Sequence, residues 1–178
     1  SLVVLLRDLE ERWREPDYGI WEIRGERRQF THSKVMCWVA FDRAVRSVEG
    51  QGLEGDVERW RALRNEIHDQ VCREGFDEKL GTFTQFYGSG TLDASLLLIP
   101  LVGFLPPDDP RVRGTIAAVE SDLMRDGFLL RYRTESGVDG LGGDEHPFLA
   151  CSGWLVSAYA ACGELETARG LMARLRGL

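Results

Sequence analysis

A tryptophan next to a glutamate, Trp21-Glu22, follows a Tyr18-Gly19 turn and precedes Arg24-Gly25 and the start of a helix. An indole face stacks on the apolar face of a pyranose. A carboxyl kept protonated beside apolar rings can donate a proton to a glycosidic oxygen. Two further segments gather aromatics, acids and arginine. Residues 82–93 carry Gln85, Tyr87 and Asp93, and residues 130–146 carry Arg131, Tyr132, Arg133, Glu135, Asp139, Asp144 and Glu145. Arginine offers a planar fork of donors to neighbouring hydroxyls, and carboxylates accept from them. If the three segments share one mouth, they suit a polyhydroxylated ligand. Each residue also has an ordinary role. Trp21 after a glycine turn can be a hydrophobic staple, Glu22 a surface or capping carboxylate, Arg131-Tyr132 an edge strand and Asp93 a helix N-cap. Their joint occurrence is what points to a site.

Helices must position these segments, because the dominant period is helical. Residues 2–14 place Leu2, Leu5, Leu6, Leu9 and Trp13 on one face, and Pro16 ends that helix. A second helix from Thr31 or Ser33 to Val48 is apolar nearly all round, which predicts burial on every side. A third covers 54–73, with Val57, Trp60, Leu63 or Arg64, Ile67 and Val71 as its stripe and Gly75 as its stop. Residues 76–91 read as a turn and a short extended segment; 92–98 reads as a short helix ended or kinked at Pro100. Asp109-Pro110 starts a helix that Gly127 stops, and 128–133 is extended. A loop with four glycines covers 136–146. Helices over 147–161 and 164–176 follow, hinged at Cys162-Gly163. The expected architecture is all-α, an array of antiparallel helical hairpins with two short extended segments. Uneven spacing between hairpins argues against a regular repeat solenoid.

Composition bounds the rest. The 178 residues fit one domain, and 43% hydrophobic residues supply a core. A net charge of −7 without a basic block argues against nucleic acid or an anionic membrane as partner. No secretory signal and no apolar run near the roughly 20 residues of a membrane span is visible. Cys37, Cys72, Cys151 and Cys162 form no C-x-x-C and read as free thiols of a cytoplasmic protein. His32, His68 and His146 lack metal-ligand spacing, so no metal is expected. The first residue is Ser1, apolar residues follow at once, and the chain stops at Leu178 just after a helical pattern. These ends suggest a portion of something longer.

The segment from Asp17 through Trp21-Glu22 to Gly25, continued by Phe30-Thr31-His32-Ser33-Lys34 and Trp38, resembles the catalytic-acid segment of glycoside hydrolase family 15. The likeness continues through Gly81–Gly88, Leu92–Leu97, Arg131-Tyr132 and Phe148–Ser152, in family order. Glucoamylases, glucodextranases and bacterial trehalases make up that family, and its fold is an (α/α)6 toroid. The resemblance implies that residues 1–178 are one portion of such a domain, nearest the trehalase and glucoamylase-like branch. By the same resemblance Glu22 is the general acid, Trp21 lines the first sugar subsite and Arg131 binds sugar hydroxyls there. The substrate would be an α-linked glucose disaccharide or oligosaccharide, hydrolysed with inversion and without a cofactor.

Inversion needs a second carboxylate to activate water, and in the family that base lies in a segment beyond these helices. Glu135, Asp139 and Glu145 are the local substitutes. Gly153 departs from the family pattern, which has a bulky aromatic before Trp154. The expectation is a half-site: a chain inactive alone, with uncovered apolar helix faces prone to self-association. The alternatives are a helical protein-interaction module, suggested by the hairpin-like ending Gly163–Arg169, and a carbohydrate-binding portion without hydrolysis.

Overall fold

A computed structural model describes residues 2–52, 54–133 and 146–177. Helix α1 (Leu2–Arg12) leads by way of a loop to α2 (Thr31–Gln51), which folds back on α3 (Val57–Glu74). A two-stranded ribbon follows, β1 (Phe76–Asp77) against β2 (Thr82–Phe83). A 3-10 turn over Ala94–Leu97 runs into α4 (Leu98–Leu101), and α5 (Pro110–Leu123) comes next. A second ribbon pairs β3 (Met124–Arg125) with β4 (Phe128–Leu129). The α6 (Leu149–Ala161) and α7 (Leu165–Arg176) hairpin completes the order. The chain is all-α, as its periodicity predicts, and the extended pieces serve only as joints.

The α2–α3 pair forms the largest block of packing. Trp60, Leu63, Ile67 and Val71 make a buried stripe on α3, so Leu63 rather than Arg64 holds the inner position. Facing it, α2 buries Val35, Trp38, Phe41, Ala44 and Val45. The prediction of all-round burial is too strong for α2: Met36 is exposed, and Val39 and Ala40 are half-buried. Asp42 is a charged residue within the buried stripe. Its carboxylate is held at the surface edge by Arg43 at 2.6 Å, Arg46 at 2.9 Å and Arg64 at 3.6 Å. On α1 only Leu6 is buried, whereas Leu2, Val4 and Leu5 are exposed.

Local chemistry explains the remaining joints. Asp109 caps α5 by accepting from the Arg111 N–H at 2.9 Å, and Pro110 fills the first helical position, where no N–H is needed. Pro100 lies within the first turn of α4 rather than ending a helix, for the same reason. The expected helix to Gly127 stops instead at Leu123. Asp126 and Gly127, at φ +52° and +85°, turn β3 into β4. An Asp-Gly pair with both residues left-handed makes a tight two-residue hairpin turn. Gly75 follows the end of α3 at a crowded point, where a Cβ would lie 2.8 Å from the Val71 carbonyl oxygen and 3.1 Å from Thr31 Cγ2.

Two glycines in helices have opposite surroundings. At Gly114 on α5, a Cβ would fall 2.3 Å from the Gly81 carbonyl oxygen. The next residue, Thr115, accepts from the Phe83 N–H at 3.0 Å, so Gly114-Thr115 seats the β1–β2 ribbon on α5. At Gly153 on α6 nothing lies within 4 Å of such a Cβ. Gly114→Ala is therefore expected to destabilise the fold by about 1–3 kcal/mol through overpacking. Gly153→Ala should stabilise it by about 0.5–1 kcal/mol through helix propensity. Urea unfolding midpoints of the two variants check both signs.

Candidate active site

Loop 13–30 is built around two anchors. The Lys34 ammonium, almost wholly buried, donates to the Trp13 and Glu15 carbonyl oxygens at 2.6 Å each and closes the end of α1. Asp17 pairs with Arg28 in an antiparallel bridge, and its carboxylate accepts from the Gly19 N–H at 2.6 Å and the Ser33 hydroxyl at 2.8 Å. Gly19, at φ +69°, lies against the Phe30 ring, 3.1 Å from where a Cβ would sit. The turn that follows carries Glu22 at φ +48°, a left-handed conformation uncommon for a residue other than glycine. Ile23 then inserts into a small cluster with Phe30 and Tyr132.

The segments expected to share a mouth do come together, as far as the described residues go. Phe30 bridges Phe86, and Asp93 bridges Tyr132. The Thr31 N–H donates to the Gln85 carbonyl oxygen at 3.0 Å, and the Ala94 N–H to that of Arg131 at 2.8 Å. Trp21 sits at the centre. Its Nε1–H points between the two carboxylate oxygens of Asp93, at 3.1 and 3.0 Å. The Arg131 guanidinium lies over its ring at 5.5 Å. Phe148 meets it edge-on and Trp154 at a 32° tilt, both with centroids 5.9 Å away. Two of the three predicted site residues, Trp21 and Arg131, are thus in contact. Glu22 follows Trp21 in sequence but is exposed, so the apolar enclosure expected around it is not supplied by the described residues.

Asp93 is more than the helix cap that its position predicts. It does cap the 3-10 turn, accepting from the Ser95 N–H at 2.8 Å, but it also accepts from Trp21 and from Gln85 Nε2 at 3.1 Å. His32, which carries no metal-ligand spacing, also lies beside the site. It is largely buried on the first turn of α2, and burial holds its imidazole pKa below the ordinary 6.5, while Asp93 and Asp17 pull the other way. A lowered folded pKa means that the unfolded chain binds more protons below about pH 6.5. Stability is then expected to fall as pH drops below that value. His32→Gln should flatten this limb, as read from thermal midpoints between about pH 6.5 and 5.

Glu135, Asp139 and Glu145, the substitute bases, lie outside the described residues. A cavity of about 500 Å³ opens between α1, the 13–18 turn and α2, lined by Leu9, Trp13, Tyr18, Lys34 and Cys37; neither Trp21, Glu22 nor Arg131 lines it. Among the described residues, no group of three or more histidine, cysteine, aspartate or glutamate side chains is placed to hold a metal ion. No described helix is long and apolar enough to cross a membrane.

The sequence profile of "Glycosyl hydrolases family 15" matches residues 4–177. The chain belongs to this family. Among curated relatives, a trehalase of Mycobacterium tuberculosis is 52% identical over 175 residues, covering 97% of this chain and 26% of that protein. A trehalase of Thermoplasma acidophilum is 39% identical over 168 residues, covering 94% of this chain and 29% of that one. The chain therefore spans about a quarter of the length of the relatives it matches. Among solved structures, a glycosidase in complex with glucose superposes with a TM-score of 0.75 at 24% identity, over 90% of this chain and 41% of its own. Its likeness shows the shared fold. The family match over nearly the whole chain leaves the reading as a separate helical-repeat module without support.

Proposed function

We propose that this chain supplies the proton-donating half of an inverting α-glucoside hydrolase, with trehalose as the first substrate to test. Glu22 is the general acid, and Trp21 with Arg131 forms the first sugar subsite. The observation that carries the reading is the arrangement around Trp21: an indole gripped at its edge by a buried carboxylate, faced by a guanidinium, and followed at once by a glutamate in a left-handed turn. Strained conformations at polar residues concentrate at functional sites, because only a selected requirement maintains them. A ring beside a guanidinium offers a pyranose both an apolar face and donors for its hydroxyls. The identity to trehalases makes trehalose the leading substrate among α-glucosides.

The base that activates water is assigned to a part of the enzyme outside this chain. Inverting glycosidases separate their two carboxyls by about 6.5–9.5 Å to admit that water. The chain alone is therefore expected to release no glucose from trehalose or maltotriose. Residues 4–177, exchanged for the matching segment of the mycobacterial trehalase, should restore hydrolysis of trehalose. An active isolated chain would overturn the half-site reading, and an inactive but folded exchange would overturn the hydrolase reading. Four free cysteines fit a reducing, cytoplasmic setting, and the exposed Leu2, Val4 and Leu5 of α1 fit self-association of the isolated chain.

A further inference from the structure

We propose that Asp93 is a positioning residue whose carboxylate fixes the Trp21 indole, and through it the Glu22 turn; this rests on the role assigned above to Glu22. Asp93 is 2% exposed, and a buried carboxylate is costly unless its oxygens are satisfied. Helix capping uses one oxygen, since the Ser95 N–H approaches Oδ1 at 2.8 Å. Serine, threonine or asparagine would cap as well. The second oxygen is what those residues lack. Oδ2 accepts from Gln85 Nε2 at 3.1 Å and shares the Trp21 Nε1–H with Oδ1, at 3.0 and 3.1 Å.

Gln85 is itself held, because the Thr91 hydroxyl donates to its Oε1 at 3.1 Å and so turns the amide nitrogen toward Asp93. The chain from Thr91 through Gln85 to Asp93 ends on the indole of Trp21. Every group in it except Thr91 and the half-buried Trp21 is 2% exposed. Among the described residues, the Trp21 ring nitrogen has no polar partner besides Asp93. An indole on a loop held by one neutral bond can rotate about two side-chain torsions. The charge-assisted pair of contacts is roughly twice as strong and locks both. The neighbouring peptide carries Glu22 at φ +48° and Ile23 into its apolar cluster, so the ring and the glutamate are set by one rigid turn.

Asparagine is the discriminating replacement. Asp93→Asn preserves shape and the capping oxygen, but it sets an NH2 group against the donors of Trp21 and Gln85. The test is the indole 1H–15N signal of Trp21 in the 178-residue chain, assigned by its absence in Trp21→Phe. The native signal should be strongly downfield and slow to exchange. In Asp93→Asn and Asp93→Ser it should move upfield and exchange about tenfold faster or more. The indole signals of Trp13, Trp38, Trp60 and Trp154 report whether the fold is intact, and they should keep their positions, Trp154 least strictly. A Trp21 signal unmoved in folded Asp93→Asn would overturn the proposal.

The second readout is kinetic, in the trehalase that carries residues 4–177. Asp93→Asn should lower kcat at least tenfold with a smaller change in KM, and kcat within twofold of the parent would overturn the positioning role. If the parent protein hydrolyses nothing, the assignment of Glu22 fails, and the indole signal still decides whether Asp93 grips Trp21.

Discussion

Glu22→Gln, in the mycobacterial trehalase whose matching segment is replaced by residues 4–177, should lower kcat on trehalose by about 10²–10⁴-fold, the range that proton transfer from a positioned acid contributes. The side chain keeps its size and shape, but the amide that replaces the carboxyl has no acidic proton to give. Glu22 is exposed in this chain and its neighbours are fixed, so the substitution removes no packing; the thermal midpoint should hold within a degree or two. The chemistry sets a sharper criterion. A glucose leaving group departs as a strongly basic alkoxide unless protonated, whereas a nitrophenolate departs with far less help. The loss on a nitrophenyl α-glucoside should therefore be at least about tenfold smaller than on trehalose. Equal losses on both substrates would mean that Glu22 is not the acid.

Trp38→Ala should have the largest effect on stability, about 3–5 kcal/mol. The Trp38 ring is nearly buried on α2. It meets Phe104 edge-on at 5.1 Å and His68 of α3 at 6.4 Å, while His68 and Phe104 stack at 4.7 Å. One side chain thus ties α2 to α3 and to the segment after α4. Its truncation leaves a void that three separate elements border, and collapse of one cannot close it. Against the 5–15 kcal/mol typical of a domain, such a loss populates the unfolded chain measurably. Trp38→Phe keeps an aromatic contact and should cost less than half as much. Urea midpoints of the two variants check the ranking. The α2 N-terminus carries Thr31, bonded to Gln85 of the site, so the Trp21 environment should loosen along with the core.

The helices were legible because their apolar residues recur with a helical period, and α3 shows it plainly in Trp60, Leu63, Ile67 and Val71. The capping pair Asp109-Pro110 was equally plain. What misled was chemistry that cancels a pattern locally. The apolar run of α5 seemed to continue to Gly127, but Asp126-Gly127 forms a tight hairpin whose dipeptide is visible in the sequence. Pro100 seemed a terminator, although a proline in a first turn removes an N–H that has no partner there anyway. Apolar residues around all of α2 did not reveal which side stays half open.

The site divides in the same way. Residue type marked the segments that carry Trp21 and Arg131, and the family resemblance singled out these two residues within them. Asp93 could not be seen as their organiser, since 72 residues separate it from Trp21 and its local position already explained it as a cap. Nor does a sequence disclose that a glutamate will occupy a left-handed turn.

That separation of 72 residues also sets a clock. A ribosome adding about 5–20 residues per second delivers Asp93 roughly 4–14 s after Trp21, and Arg131 later still. Throughout that interval the loop bearing the catalytic-acid candidate has no partner for its indole. The α2–α3 hairpin, whose contacts are local, can close meanwhile. Assembly around Trp21 thus waits on residues made well after the α2–α3 pair. A nascent chain stalled before residue 93 should hold a formed helical pair beneath an unformed site.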